Sequence, residues 1–241
     1  MKRILSLLLI ILISLPSIVF ADKQEWFDKN YDFSKVKRII VNFTIPEQLK
    51  NGVIEHEATD IFQNHFTKKL APKLVNQNIK IIMFEDVFQE IKETQKVDLL
   101  SMYESAPDKA RSFIAEYIPN NFDIVLNITL QHYSMGTQYV DGYTYSVPTT
   151  QTYYDGNNFV TVSGSQQHYV SGGNRPTAYA VVKYELIDIP TNRNVWTRID
   201  DRARVNKDAF ENSKPKDLYQ RSLKSFFSTL TSKLINKPSE D

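Results

Sequence analysis

The chain offers few groups for acid–base, nucleophilic or metal chemistry. It holds no cysteine and four histidines among 241 residues, which removes thiolate metal sites, disulfide frameworks and a cysteine nucleophile. His56-Glu57 followed by His65 suggests a zinc helix, but such a helix sets its histidines four residues apart on one face. A separation of nine turns the second ring about 180° away, so His65, beside Phe62 and Phe66, reads as a helix-flank residue. His132 and His168 would meet only if the segment between them folded back over the strand carrying His132. Ser163-Gly164-Ser165 near His168 is the sole candidate for a serine nucleophile, and it lacks the strand–turn–helix elbow that exposes such a serine. Asp200 and Asp201 point to opposite faces of a regular strand and do not form an inward carboxylate pair. Asp200, between Arg198 and Arg202, reads as part of a solvated charge ladder along one strand face. No glycine-rich phosphate loop is present. The sequence assigns no catalytic residue, no metal ligand and no cofactor.

The residues that stand out are aromatic. Between 134 and 174 the only charged side chains are Asp141 and Asp155, while Tyr139, Tyr143, Tyr145, Tyr153, Tyr154, Phe159 and Tyr169 lie among Thr, Ser, Gln, Asn and Gly. Tyrosine with small polar neighbours is the composition of adaptable binding surfaces, because the ring gives contact area at low entropy cost. Those seven aromatics are the expected binding residues. The same residue types are also ordinary strand formers that pack across a ladder, and a long uncharged β segment is prone to pair with its own copies. Asp155-Gly156 between β-prone arms signals a hairpin turn, so the segment is expected to form at least one β-hairpin projecting from the core strands.

The elements that must carry this arm are legible on either side of it. Residues 36–44, 78–84 and 123–130 are strand-sized apolar runs. Between the first two, Ala58, Ile61, Phe62, Phe66, Leu70 and Leu74 recur at helical spacing; Val87, Phe88, Ile91 and then Ala110, Phe113, Ile114 and Tyr117 do so between the second and third. Beyond the arm, 177–189 and 195–205 form a hairpin through a turn-rich connection at 190–194. In its second strand one face carries Trp196, Arg198, Asp200, Arg202 and Arg204; the other carries Val195, Thr197, Ile199, Ala203 and Val205 and looks like core. A final helix, with Ser213 as its cap and Pro215 and Asp217 in its first turn, has the apolar stripe Tyr219, Leu223, Phe226, Phe227, Leu230 and Leu234. A polar tail at 237–241 is expected to fray. The order β-α-β-α-β-β-β-α implies an α/β fold: a mixed sheet packed by helices, in a single domain over 22–241 with the tyrosine-rich insertion at 134–174.

Residues 1–21 form an export signal. Met1, Lys2 and Arg3 precede a run to Phe20 that is apolar apart from Ser6, Ser14, Pro16 and Ser17, and Val19 and Ala21 are the small residues a signal peptidase requires. Cleavage is expected between Ala21 and Asp22, leaving a soluble periplasmic or extracellular protein. No cysteine follows the run, so no lipid anchor can be attached. The formal charge of +1 loses Lys2 and Arg3 on cleavage, and near-neutrality argues against nucleic-acid binding, which needs a basic field. A 41% apolar and 24% charged composition also excludes wholesale disorder. Asn42-Phe43-Thr44 and Asn127-Ile128-Thr129 match a glycosylation pattern, but both fall inside expected strands.

The stretch 186–196, with Asp188 ending one strand, Thr191 in the turn and Val195-Trp196 opening the return strand, resembles a hairpin of small bacterial envelope proteins. These are the TolB amino-terminal, CsgG and penicillin-binding-protein-activator type. Where those relatives place a turn glycine, Asn192 or Asn194 takes the positive φ. The resemblance implies an α/β domain that acts by binding other envelope proteins without catalysis. The expected function is thus an exported, non-enzymatic envelope protein that binds a protein partner through the tyrosine-rich arm. The alternatives are a secreted polysaccharide-binding protein or hydrolase, with tyrosines as glycan platforms, and a self-assembling structural envelope protein.

Overall fold

A computed structural model describes residues 21–154, 159–206 and 212–235. The expected export signal up to residue 20, the Asp155-Gly156 turn and the tail at 237–241 lie outside the described residues. Strands β1 (Ala21–Phe27), β2 (Arg38–Thr44), β3 (Lys80–Met83), β4 (Ile124–Val140), β7 (Gly173–Asp188) and β8 (Arg193–Val205) form one mixed sheet in the order β1-β8-β7-β4-β2-β3. β5 (Tyr143–Tyr154) and β6 (Phe159–Val170) form a second, two-stranded sheet. The β2–β3 and β2–β4 pairs are parallel because helices connect them; β4–β7, β7–β8 and β8–β1 are antiparallel.

The apolar runs bury both faces of the sheet's centre. Ile39 and Val41 face one core and Ile40 the other, all fully buried. Helix α1 (Gly52–His65), a π turn (Phe66–Leu70) and the short α2 (Ala71–Val75) cover the first face. Asn51 caps α1 by accepting the Ile54 N–H at 3.0 Å. All six residues of the expected stripe, Ala58 to Leu74, are buried. The π turn precedes Pro72, whose ring would clash with the preceding turn and whose nitrogen donates no bond; widening the helix there relieves both. α3 (Phe84–Gln95), α4 (Leu99–Ser105) and α5 (Pro107–Asn121) pack on the opposite face. The two glycosylation-like segments are register partners in β2 and β4: Asn42 donates to Asn127 at 3.1 Å, and the Thr44 and Thr129 hydroxyls meet at 3.1 Å.

Helix α6 (Pro215–Ile235) closes the first face, beginning one residue later than Ser213 capping implies. Asp217 accepts the Lys214 N–H at 3.2 Å, and the Ser213 N–H goes to Asn206 Oδ1 at 3.0 Å. This helix overturns the expected orientation of β8. Trp196, Arg198 and Asp200 are at most 1% exposed and Arg202 and Arg204 are partly buried, whereas on the face expected as core only Val195 is buried and Thr197, Ile199, Ala203 and Val205 are partly buried. The charged face is the inner one, and Asp200 is no solvated ladder. It accepts from Arg198 Nη2 at 2.9 Å, from Arg202 Nε and Nη2 at 2.9 and 3.0 Å, and from the Ser222 hydroxyl of α6 at 3.0 Å. Since Ser222 spends its proton on the carboxylate, the Tyr184 hydroxyl donates to Ser222 Oγ at 2.7 Å. Arg198 also donates to Ser225 Oγ at 2.8 Å and lies over the Phe226 ring. Burial raises the Asp200 pKa, but the Arg202 bond and charge, with Arg198 and Ser222, outweigh it and hold the carboxyl below its ordinary range.

Strand β1 carries no apolar alternation and was not anticipated. It adds to the outer edge of β8, pairing Ala21 through Phe27 with Arg202 through Trp196. Glu25 accepts the buried Trp196 Nε1–H at 3.0 Å, and the Lys233 ammonium of α6 stands 3.4 Å from the Phe27 ring centre. In the β7–β8 turn Asn192 has φ 52°, as expected, and Asp188 accepts both the Thr191 N–H at 3.1 Å and the Tyr31 hydroxyl at 2.9 Å. The residues that carry the envelope-protein resemblance therefore fix a turn and a core.

Candidate functional site

The arm grows out of β4 and β7. Up to Leu130, alternate residues of β4 are buried: Ile124, Leu126, Ile128 and Leu130. The β4–β7 register then shifts between Leu130 and His132. This bulge inserts Gln131 and moves the inward position to Tyr133, which is buried and donates its hydroxyl to Glu57 on α1. The two strands stay paired from Ser134↔Tyr179 to Val140↔Gly173, and they leave the body where β8 ends on β7 at Thr177↔Val205. β4 and β7 thus reach well into the segment expected as an insertion. Gly136 admits the Tyr179 ring, an atom of which lies 3.0 Å from where a Cβ would stand.

Pairing stops on both strands at one level. Asp141-Gly142 and Ser171-Gly172 separate the last β4–β7 pair from the first β5–β6 pair, Tyr143↔Val170. The glycines are required there. A Cβ on Gly142 would stand 2.9 Å from the Gly172 nitrogen, and one on Gly172 would stand 2.7 Å from the Gly142 nitrogen and 3.0 Å from the Val140 oxygen. Only bare backbone fits this waist. Beyond it β5 and β6 run in unbroken register to Tyr154↔Phe159 and, among the described residues, pair with no other strand. At about 3.3 Å per residue, the strand path from 134 to 154 is about 70 Å long.

Three of the seven aromatics converge on the waist. Tyr139 is 66% exposed, Tyr143 44% and Tyr169 72%. The Tyr169 hydroxyl lies 2.6 Å from the Cβ position of Gly142, and the Tyr139 hydroxyl lies 3.2 Å from that of Gly172. Each ring therefore drapes over the glycine of the other strand. The remaining four are distal by register: Tyr145 opposite His168, Tyr153 opposite Val160, and Tyr154 opposite Phe159. Tyr143 pairs with Val170 and Tyr169 with Thr144, so these two rings have opposite strand parity and a flat ribbon presents them on opposite faces. Met135 and Val147, 49% and 38% exposed, add apolar surface that the aromatic pattern did not indicate. The waist glycines were also missed, although the Asp141-Gly142 and Ser171-Gly172-Gly173 breaks are visible in the sequence.

The other candidate groups are kept apart. His132 pairs with Val181 at the foot of the arm and its Nε2 meets Ser134 Oγ at 2.8 Å, whereas His168 sits beyond the waist. Ser163-Gly164-Ser165 lies in regular ladder opposite Thr150, Thr149 and Pro148, with no elbow. His65 donates Nδ1–H to the Ile61 carbonyl at 3.0 Å, and burial lowers its pKa. Among the described residues no three metal-ligating side chains cluster, and no helix is long and apolar enough to cross a membrane.

No protein-family model and no curated protein matches the chain. Solved structures with some likeness include a PelC dodecamer from Paraburkholderia phytofirmans, at 14% identity over 90% of this chain and 99% of that one, TM-score 0.38. A putative neuraminyllactose-binding hemagglutinin homolog from Helicobacter pylori aligns at 9% identity over 83% and 87%, TM-score 0.39. Lipoprotein GNA1162 from Neisseria meningitidis aligns at 12% identity over 81% and 99%, TM-score 0.32.

Proposed function

We propose that this is an exported, non-enzymatic envelope protein whose two-stranded arm captures a protein partner, the waist tyrosines Tyr139, Tyr143 and Tyr169 forming the centre of the contact. Cleavage between Ala21 and Asp22 would release the chain at the start of its edge strand β1. The observation that carries the reading is exposure of three tyrosine rings on a nearly uncharged ribbon that, among the described residues, joins no other strand. Rigid aromatic surface of this kind lowers the entropy lost on binding. The envelope-protein resemblance of 186–196 favours the same class of role.

The register supplies a clean test. Val140 and Gly173 are partners, so replacing 141–172 by Asn-Gly closes β4 and β7 with a two-residue turn. The shortened protein should export and unfold with the body's own cooperativity, yet lose its crosslinked envelope partner. Retention of that partner at the full-length level would remove the arm from the interface.

A second reading has its own observation. β5 and β6 each leave one edge unpaired in a two-stranded sheet with almost no charge to repel another copy. Arm-to-arm pairing would give a concentration-dependent oligomer in sedimentation that the Asn-Gly replacement abolishes.

A further inference from the structure

At the foot of the arm, on the side covered by α6, β8 ends beneath the junction of α1 with its π turn. Arg204 of β8 is the register partner of Ala178 there. These elements enclose a cleft of about 480 Å³. His65 and Lys69 reach it from α1 and the π turn, Arg204 from β8, and Arg221 and Lys224 from α6; Asp217 is the only carboxylate among the described lining residues. Among the described lining residues four fixed cations face one anion, in a protein whose formal net charge is +1. Asp217 is already engaged by the Lys214 N–H. Elsewhere cations of the body pair with carboxylates, as Arg38 and Lys80 do with Glu90. Lys69, Arg221 and Lys224 make no ion pair with another described residue. His65 uses Nδ1 on the Ile61 carbonyl, leaving Nε2 uncommitted.

We propose that this cleft binds a phosphomonoester. A dianion with three acceptor oxygens matches the Arg221 guanidinium fork and the Lys69 and Lys224 ammonium groups better than a single carboxylate does. The volume lies within the range of small-molecule sites and exceeds that of an inorganic anion, leaving room for an attached polar group the size of glycerol or a sugar. The helix start contributes little, because Pro215 carries no N–H, the Asp217 N–H goes to the Lys214 carbonyl at 3.0 Å, and the preceding Ser213 and Lys214 N–H groups go to Asn206 and Asp217. The proposal rests on the body alone and is independent of what the arm contacts.

Titration calorimetry of the mature full chain with glycerol 3-phosphate, and flotation with phosphatidylcholine vesicles with and without phosphatidic acid, present the same phosphate free and as a lipid headgroup. Saturable binding to either source is expected, with glycerol alone inert. Arg221→Ala with Lys224→Ala, both on the exposed side of α6, should weaken it by about tenfold or more. Lys109→Ala on α5, in the opposite helix layer, should leave it unchanged. Thermal unfolding of each variant verifies the fold. Binding to neither source, binding that survives the α6 double substitution, or equal loss with Lys109→Ala would overturn the assignment.

Discussion

The inner face of β8 and the arm invert the usual reading of polarity. Arg198 and Asp200 are buried to within 1% of complete, while Tyr139 and Tyr169, on a stretch of chain with two charges in forty residues, are about two-thirds exposed. What separates them is the supply of partners. On β8, α6 brings Ser222, Ser225 and Thr229 against the strand, and Tyr184 completes a bonded chain around one carboxylate. A buried charge is tolerated when hydrogen bonds and counter-charge replace its water. On the arm no second layer arrives among the described residues. The ladder satisfies its own backbone, and the exposed Tyr139 and Tyr169 rings lie against the waist glycines. Charge does not decide which side of a strand is interior; the neighbouring element does.

Breaking the buried half of this contrast should give the largest effect. Asp200→Ala leaves Arg198 and Arg202 without their counter-charge and is expected to destabilise the fold by about 3–5 kcal/mol, read by urea unfolding. A change below about 1 kcal/mol would mean that the carboxylate is solvated after all. The same group has a pH signature. Its pKa is lower in the folded state than the ordinary 3.8, so its stabilisation is complete above that value and disappears as the pH falls through the depressed folded value. Asp200→Asn should flatten this part of the acid limb.

Two buried tyrosines sharpen the role of partners. Tyr184 donates to Ser222, whereas the Tyr219 hydroxyl is buried without a partner among the described residues. Tyr184→Phe should therefore destabilise by about 1 kcal/mol, and Tyr219→Phe should stabilise by about 1 kcal/mol by removing an unsatisfied group. Equal signs would show that burial alone governs both. The smallest stability effect belongs to the arm. Tyr139→Ser, Tyr143→Ser and Tyr169→Ser should each move the unfolding free energy by less than about 0.5 kcal/mol, while weakening partner capture together by more than about tenfold, or 1.4 kcal/mol.

The central strands and the α1 stripe were legible because both periodicities repeat there without interruption, and Asn192 was legible because few side chains tolerate a positive φ. β1 was not, since Asp22-Lys23-Gln24-Glu25 has no apolar alternation. Edge pairing needs backbone alone, and the contacts that fix it, Glu25 to Trp196 and Phe27 to Lys233, are distant in sequence. The inner face of β8 misled for a similar reason. An Arg-Asp-Arg alternation is the same pattern whether water or a helix covers it, and the polar positions Ser222, Ser225 and Thr229 of α6 are the matching half of the signal. At the arm, aromatic composition marked the segment but not its geometry. The bulge at Gln131 and the paired glycines of the waist depend on two strands reaching the same level, which a single strand does not reveal.

The claim that the arm is the interaction element and the body its support is tested most directly by photocrosslinking in living cells. A benzoylphenylalanine would replace Tyr143 or Tyr169 at the waist and, as control, Tyr103, which is 43% exposed on α4. The expected result is a discrete adduct with one envelope protein from both waist positions and none from Tyr103. Adducts from Tyr103 with none from the waist would contradict the account. Waist adducts of twice the chain's own mass would replace partner capture with self-assembly.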